Sequence, residues 1–544
     1  MRLASRILVA ALLLAPGAVL GQAEGVAVET EELGEELLPP PPAVDEADRP
    51  EEEQREFIKG ELTRVGASQL ALARRRFGVL VGYELIEEVQ EDGNVDGGHY
   101  LRLTPSVDLR SKDGKFSAGF GVPLRLLIYG PGGFDDAGQI RKKDWDEPSD
   151  FAQVIRYLTY GGKEQKFFLQ ISQLDAATLG HGPILRRYFA NADMDSRRVG
   201  LAFDTYGRYA GFELHVADLV TPFELALQTE SNVGLVTGGL VFVKPLAAFG
   251  DGVVARSLSI GVTWAGELNA PLQLSYDPIG RVVTEPGELK PEYVGGLVDL
   301  MGFDLELKVL KTRQADLKPF VDFSFRRDAF FAGQGGWGGT LGLLGRFNYE
   351  GKGEKKRIHA LRGVFELRTH AGNYIPAYFD SFYEVEKFAY LQRPDGAGNL
   401  QWITKNAALD ERDPAEMAYG LYFELSWAPQ DLFALGTALE LSTAERGNNF
   451  YLHLEVPAGR YFQFLVTYHK RGFADAASFF DFQADDNTLV AAVRVEVLPI
   501  LWLNLRAYQA FQFNIADPTV KLFEPVRGFQ FEVELGWELA RRGS

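Results

Sequence analysis

No cysteine occurs among the 544 residues. That excludes disulfides, a thiolate metal site and a lipid-modified N-terminal cysteine. No apolar run beyond the first residues approaches the ~20 residues that a membrane helix requires, so if this chain spans a membrane it does so with strands. Basic residues are the minority: 56 lysines and arginines stand against 75 carboxylates, a formal net charge of −19. With no concentrated basic patch, that balance excludes a nucleic-acid partner. Histidine is sparse and scattered, at positions 99, 181, 215, 359, 370, 453 and 469. No HExxH pair, GxSxG elbow or phosphate-cradling loop with Lys and Ser/Thr appears. The sequence therefore assigns no catalytic residue, no cofactor and no metal, and the chain reads as a non-enzyme. Asp92, Asn94 and Asp96 alternate as calcium ligands do, but the closing bidentate Glu is missing and the same residues suit a hairpin turn.

What is present is alternation. In Phe529–Leu539, Phe529, Phe531, Val533, Leu535, Trp537 and Leu539 share one parity, and Gln530, Glu532, Glu534, Gly536 and Glu538 the other. A strand has a side-chain period of two, so this stretch has one apolar face and one charged face. Three glutamates cannot enter a dry core without partners. The charged face must meet water or a charged lumen, and the apolar face is long enough to cross a bilayer, which takes about 9–11 tilted residues. The pattern recurs. Leu101, Leu103, Val107 and Leu109 oppose Arg102, Ser106, Asp108 and Arg110, and Leu124, Leu126 and Ile128 flank Arg125. Near the end, Val493 and Val495 flank Arg494, and Leu505 and Ala507 flank Arg506.

Four regions follow in order. Residues 1–23 read as a signal peptide: Arg2 and Arg6, the apolar Ile7–Leu14, then small Gly21 and Ala23. Residues 24–53 form an acidic, Pro-rich linker with too little apolar surface to order. Residues 54–76 show helical spacing from Phe57 to Leu72 and close on Arg74–Arg76, as a periplasmic spacer helix or as a plug entering a barrel. Residues 77–544 read as one all-β domain, a transmembrane antiparallel barrel of about 20 strands, with 16 or 18 also compatible. Tight joints such as Ser111–Lys115, Tyr206–Arg208 and Thr312–Asp316 alternate with long links, notably Gly130–Ser149, Ala176–Asp195, Glu267–Glu292 and Ala371–Glu416. Tyr378–Tyr390 is placed in the last of these as a hairpin above the membrane, because counting it as a strand would reverse the short-long phase downstream.

With its signal, its alternating strands and its aromatic-rich last strand, the chain resembles the porin-like β-barrel proteins of the bacterial outer membrane. Such proteins typically finish on an aromatic residue; here Glu538–Ser544 follow Trp537, so the resemblance implies an assembly signal that is either shifted inward or weaker than usual. The resemblance implies outer-membrane localisation, lipid contact through aromatic girdles (Tyr129, Tyr157, Tyr160, Trp427 and Trp502 lie near strand ends), and passage of small polar solutes. A second reading is a structural or docking barrel in an envelope complex, whose N-terminal arm binds a periplasmic partner. A third is an outer-membrane hydrolase, with His181–Asp175 or His370–Asp380 as its candidate pairs. A soluble periplasmic all-β protein would have to protect exposed edge strands. Arg102, Asp108, Arg125, Arg494 and Arg506 are expected to line the lumen. His181, Arg186 and Arg187, in the glycine-flanked segment Leu179–Tyr188, are candidates for a constriction that favours anions, or else for a packed external loop tied to Asp193 or Asp195.

Overall fold

The computed structural model describes residues 76–538, apart from 90–94, 112–114, 131–132, 147, 162–165, 175, 194–196, 228–233, 251, 278–281, 285–290, 313, 351–357, 395–397, 399, 430–431, 445, 457–461, 481–486 and 515–521. The expected signal peptide, linker and N-terminal helix lie outside the described residues, as do Asp92 and Asn94. Arg76, expected to end that helix, begins the first strand.

Twenty strands form one antiparallel sheet that closes on itself. They are β1 (Arg76–Val89), β2 (Val95–Arg110), β3 (Phe116–Gly121 continued by Leu124–Tyr129), β4 (Ile155–Gly161), β5 (Phe168–Ser172), β6 (Gly200–Tyr206) and β7 (Ala210–Val216). Next come β8 (Leu235–Val243), β9 (Ser259–Leu274), β10 (Tyr293–Glu306, extended by Leu310–Lys311), β11 (Ala315–Arg326), β12 (Trp337–Glu350) and β13 (Ile358–Ala371). The last seven are β14 (Met417–Pro429), β15 (Ala434–Ser442), β16 (Asn449–Val456), β17 (Phe462–Arg471), β18 (Asn487–Leu498), β19 (Leu501–Phe513) and β20 (Phe523–Glu538). The break in β3 falls at Pro123, which has no N–H to give to the ladder. Closure is in register from Arg76↔Glu538 to Ile86↔Gly528. Gly82 is required at that seam, because a Cβ there would meet Phe531 O at 2.3 Å.

The burial pattern is inverted relative to a soluble protein. On β20, Phe531 and Trp537 are 40% and 46% exposed, whereas Glu532 and Glu534 are 7% and 6% exposed. Apolar side chains face outward and charged ones inward, as the alternation predicts. Both ends of the barrel sequence lie at the rim of short turns; the long connections gather at the other rim.

Two details differ from expectation. Strands β4–β7 hold only five to seven residues, where the spacing suggested about eleven or twelve. Above β4 and β7 the chain turns into the short helices Pro148–Val154 and Thr221–Leu227. These still point Phe151 and Phe223 outward, so the apolar pattern does not reveal the change of backbone. Tyr378–Tyr390 does not rise as a hairpin. It folds inward, with Tyr378, Phe379 and Tyr383 almost fully buried, because three rings so close together would be costly to leave in water.

We expect Phe531→Arg, mid-strand and lipid-facing, to cost about 2–4 kcal/mol of folding free energy, and Trp537→Arg near the rim about 0–1 kcal/mol. Denaturant titration in lipid vesicles measures both, and equal costs would contradict the assigned depth.

Candidate functional site

A barrel of 20 strands is wider than its wall side chains can fill. The buried described residues of two long connections fill part of the interior, one connection running between β5 and β6 (173–199) and the other between β13 and β14 (372–416). They join at a single parallel bridge between Leu185 and Phe379, where Arg186 N–H donates to Phe379 O (3.0 Å) and Phe379 N–H to Ile184 O (3.0 Å). Ile184, Leu185, Tyr188, Phe379 and Tyr383 then pack on the inward faces of Val236, Ala265, Val298 and Leu300 from β8, β9 and β10. The result is a compact apolar core inside a polar lumen, held on one side of the wall.

Charges lock this plug. Lys387 Nζ reaches Glu267 of β9 at 2.6 Å and Glu384 at 2.9 Å. Arg198 holds Glu384 at 2.8 Å, and Tyr383 donates to Glu267 at 2.6 Å. Burial opposes ionisation of Glu384, but Arg198 and Lys387 outweigh it and hold its pKa down at about 2. Removing one partner strands a buried charge, so Lys387→Met should destabilise the fold by about 3–5 kcal/mol. Denaturant titration against the wild-type protein tests this.

The eight residues expected to line the pore fall into two groups. His181, Arg186 and Arg187 come together in the lumen. The His181 ring nitrogens meet Asp322 Oδ1 at 3.0 Å and Glu306 Oε2 at 3.1 Å, and the ring stacks on Phe320. Arg186 pairs with Glu366 at 2.7 Å and lies 4.1 Å from the Tyr422 ring centre. Arg187 pairs with Glu424, donates to Tyr422 Oη at 2.7 Å and adopts φ +50°, a conformation that costs a non-glycine residue about 1–3 kcal/mol and persists only where the surroundings enforce it. The two arginines therefore pair with β13 and β14. Asp195, one of the partners considered for a packed external loop, lies outside the described residues.

The other five form a belt on a different arc. Arg125 meets Glu84 (2.7 Å) and Asp144 (2.9 Å), and Arg102 meets Glu532 (3.3 Å). Asp108 accepts from Tyr157 (2.8 Å), Arg494 meets Glu534 (3.1 Å), and the Arg506 guanidinium is 5.2 Å from the Tyr508 ring centre. None of the five lines the cavity described next.

That cavity, about 1000 Å³, opens at the rim that holds the barrel's chain ends, among Arg208, Lys244, Arg256 and Lys311, and reaches Arg186, Arg187 and Tyr422. Sequence reasoning missed Glu366, Tyr422 and Glu424, although their inward parity on β13 and β14 was legible; which loop they would grip was not. His370 bonds the backbone of Ala371 and Asp380 pairs with Arg471, so that suggested hydrolase pair does not form. Asp175, suggested for His181, lies outside the described residues.

A closed wall, apolar outside and charged inside, defines a transmembrane β-barrel of the bacterial outer membrane. No protein-family model and no curated protein matches the chain. Solved structures with a similar outline include the ferric enterobactin receptor PfeA of Pseudomonas aeruginosa, with 9% identity, TM-score 0.30, and 86% of this chain and 82% of that one covered. Another is Wzi of Escherichia coli, a carbohydrate-binding β-barrel involved in group 1 capsule assembly, with 11% identity, TM-score 0.30, and 89% and 92% covered. A third is OccK10 (OpdN) of P. aeruginosa, with 9% identity, TM-score 0.27, and 86% and 100% covered. The class rests on the closed wall itself, since likenesses this distant add no weight.

His181 gives a pH test. Burial pulls its pKa down, but Asp322 and Glu306 outweigh that and raise it to about 10. The folded value lies above the unfolded one of about 6.5, so the anchoring contribution is complete below pH ~6.5 and lost as pH rises through about 10. We expect the unfolding temperature of wild type to exceed that of His181→Gln most near pH 6, the gap closing by pH ~10. A gap independent of pH would contradict the anchor.

Proposed function

We propose that this barrel conducts small polar solutes across the outer membrane, with Arg186 and Arg187 at its narrow point. The observation that carries this reading is the cavity of about 1000 Å³ that enters from the rim of the chain ends and reaches those two arginines. Charged side chains along the cavity wall, eleven lysines and arginines and five carboxylates, suit hydrated solutes. The lipid contact is the outward apolar face. No step in this reading needs a catalytic residue.

A second reading is a structural or docking barrel whose N-terminal arm binds a periplasmic partner. The compact apolar core of the plug favours it, since packing of that kind resists opening. Planar-bilayer conductance separates the two. We expect steady ion conductance from the detergent-purified protein, and from a variant lacking residues 24–75. Conductance from the shortened variant alone would make the N-terminal segment a plug. Silence from both, with folding verified, would favour the structural barrel.

A further inference from the structure

Resting on the channel reading, we propose that solutes cross on one side of the plug only, through a seam between segment 173–199 and the wall β13–β17, and that the favoured solutes are small oxyanions, carboxylate or phosphate. A second, smaller cavity of about 60 Å³ reaches Ser442, Ala444, Arg446 and Gly447 at the β15–β16 connection, on the long-loop rim. It shares Arg186, Arg187 and Tyr422 with the larger cavity. Those three side chains are therefore the partition between two spaces that open toward opposite rims. Among the described residues, the β8–β10 wall is covered further in, where Val236, Ala265, Val298 and Leu300 are sealed under the plug's apolar core.

Charge selects the solute. Eleven lysines and arginines against five carboxylates line the larger cavity, and five arginines against two carboxylates the smaller. Both are cation-rich in a chain of net charge −19. At the partition, Arg186 and Arg368 lie 4.1 and 4.5 Å from the Tyr422 ring centre, and Arg187 lies 4.5 Å from that of Tyr451. Aromatic faces hold the guanidinium planes while Glu366 and Glu424 occupy their donors. An incoming oxyanion can take over those donors in the same bidentate manner. A cation would meet a fence of fixed positive charge. The smaller cavity, only about 60 Å³, suits small solutes.

The absence of native cysteine makes the test specific. Ala438→Cys and Ser442→Cys place thiols on the seam, and Ala265→Cys places one under the core. All three are small changes, and each variant is first checked for heat-modifiable folding. With an anionic methanethiosulfonate we expect conductance of the two seam variants to fall at least twofold, and that of Ala265→Cys to hold. The anionic reagent should react several-fold faster than its cationic analogue. Block at Ala265→Cys without block at the seam would overturn the route while leaving the channel intact. Faster reaction with the cation would overturn the anion preference. Reversal potentials in succinate and in phosphate decide which oxyanion is favoured, and equal permeability to potassium in both would overturn the preference altogether. A wild type that does not conduct would overturn the channel reading, and this inference with it.

Discussion

Everything in this structure depends on one constraint: in hydrocarbon, a backbone N–H or C=O without a partner costs several kcal/mol. The sheet must therefore have no free edge, and β1 must meet β20. The pairing from Arg76↔Glu538 to Ile86↔Gly528 supplies that closure, and Gly82 is part of its cost in side-chain choice. Closure with twenty strands then creates a second problem, a lumen too wide for wall side chains. Two connections solve it by folding inward, so the plug is a consequence of strand number as much as of function.

Filling the lumen puts many charges out of water, and the molecule answers by pairing them in chains rather than singly. Glu84 is shared by Arg125 and Arg102, and Arg125 also holds Asp144. Glu384 is shared by Arg198 and Lys387, which also holds Glu267. Such networks contribute little net stability against an apolar replacement, yet losing one member is expensive. They fix where each loop sits. The apolar core at Ile184, Leu185 and Phe379 holds the plug to β8–β10, and Arg186 and Arg187 tie it to Glu366 and Glu424 on β13 and β14, further round the wall.

The period-two alternation made most of the wall legible from sequence, including a strand number near twenty, with 16 or 18 left open, and the inward parity of Arg102, Asp108, Arg125, Arg494 and Arg506. It failed where a helix turn could continue the same apolar face, as at Phe151 and Phe223 above the short strands. It also failed at Tyr378–Tyr390, since the alternation does not say which long connection turns into the lumen to bury its rings. For the site, glycines and paired arginines marked Leu179–Tyr188, but nothing local names a partner 180 residues away such as Glu366 for Arg186. Those contacts are set by where the infolded connection meets the wall.

The central claim is that two distant connections meet inside the barrel as one plug. Cysteines at Leu185 and Phe379, the residues bridged in parallel, test it most directly, because neighbouring strands lie about 4.8 Å apart and a disulfide spans Cα separations of about 4.4–6.8 Å. We predict that the double variant folds and forms this disulfide on mild oxidation, while either single variant resists a bulky maleimide added from outside. Failure to cross-link, with both thiols readily labelled, would mean that the connections lie outside the lumen and would contradict the account.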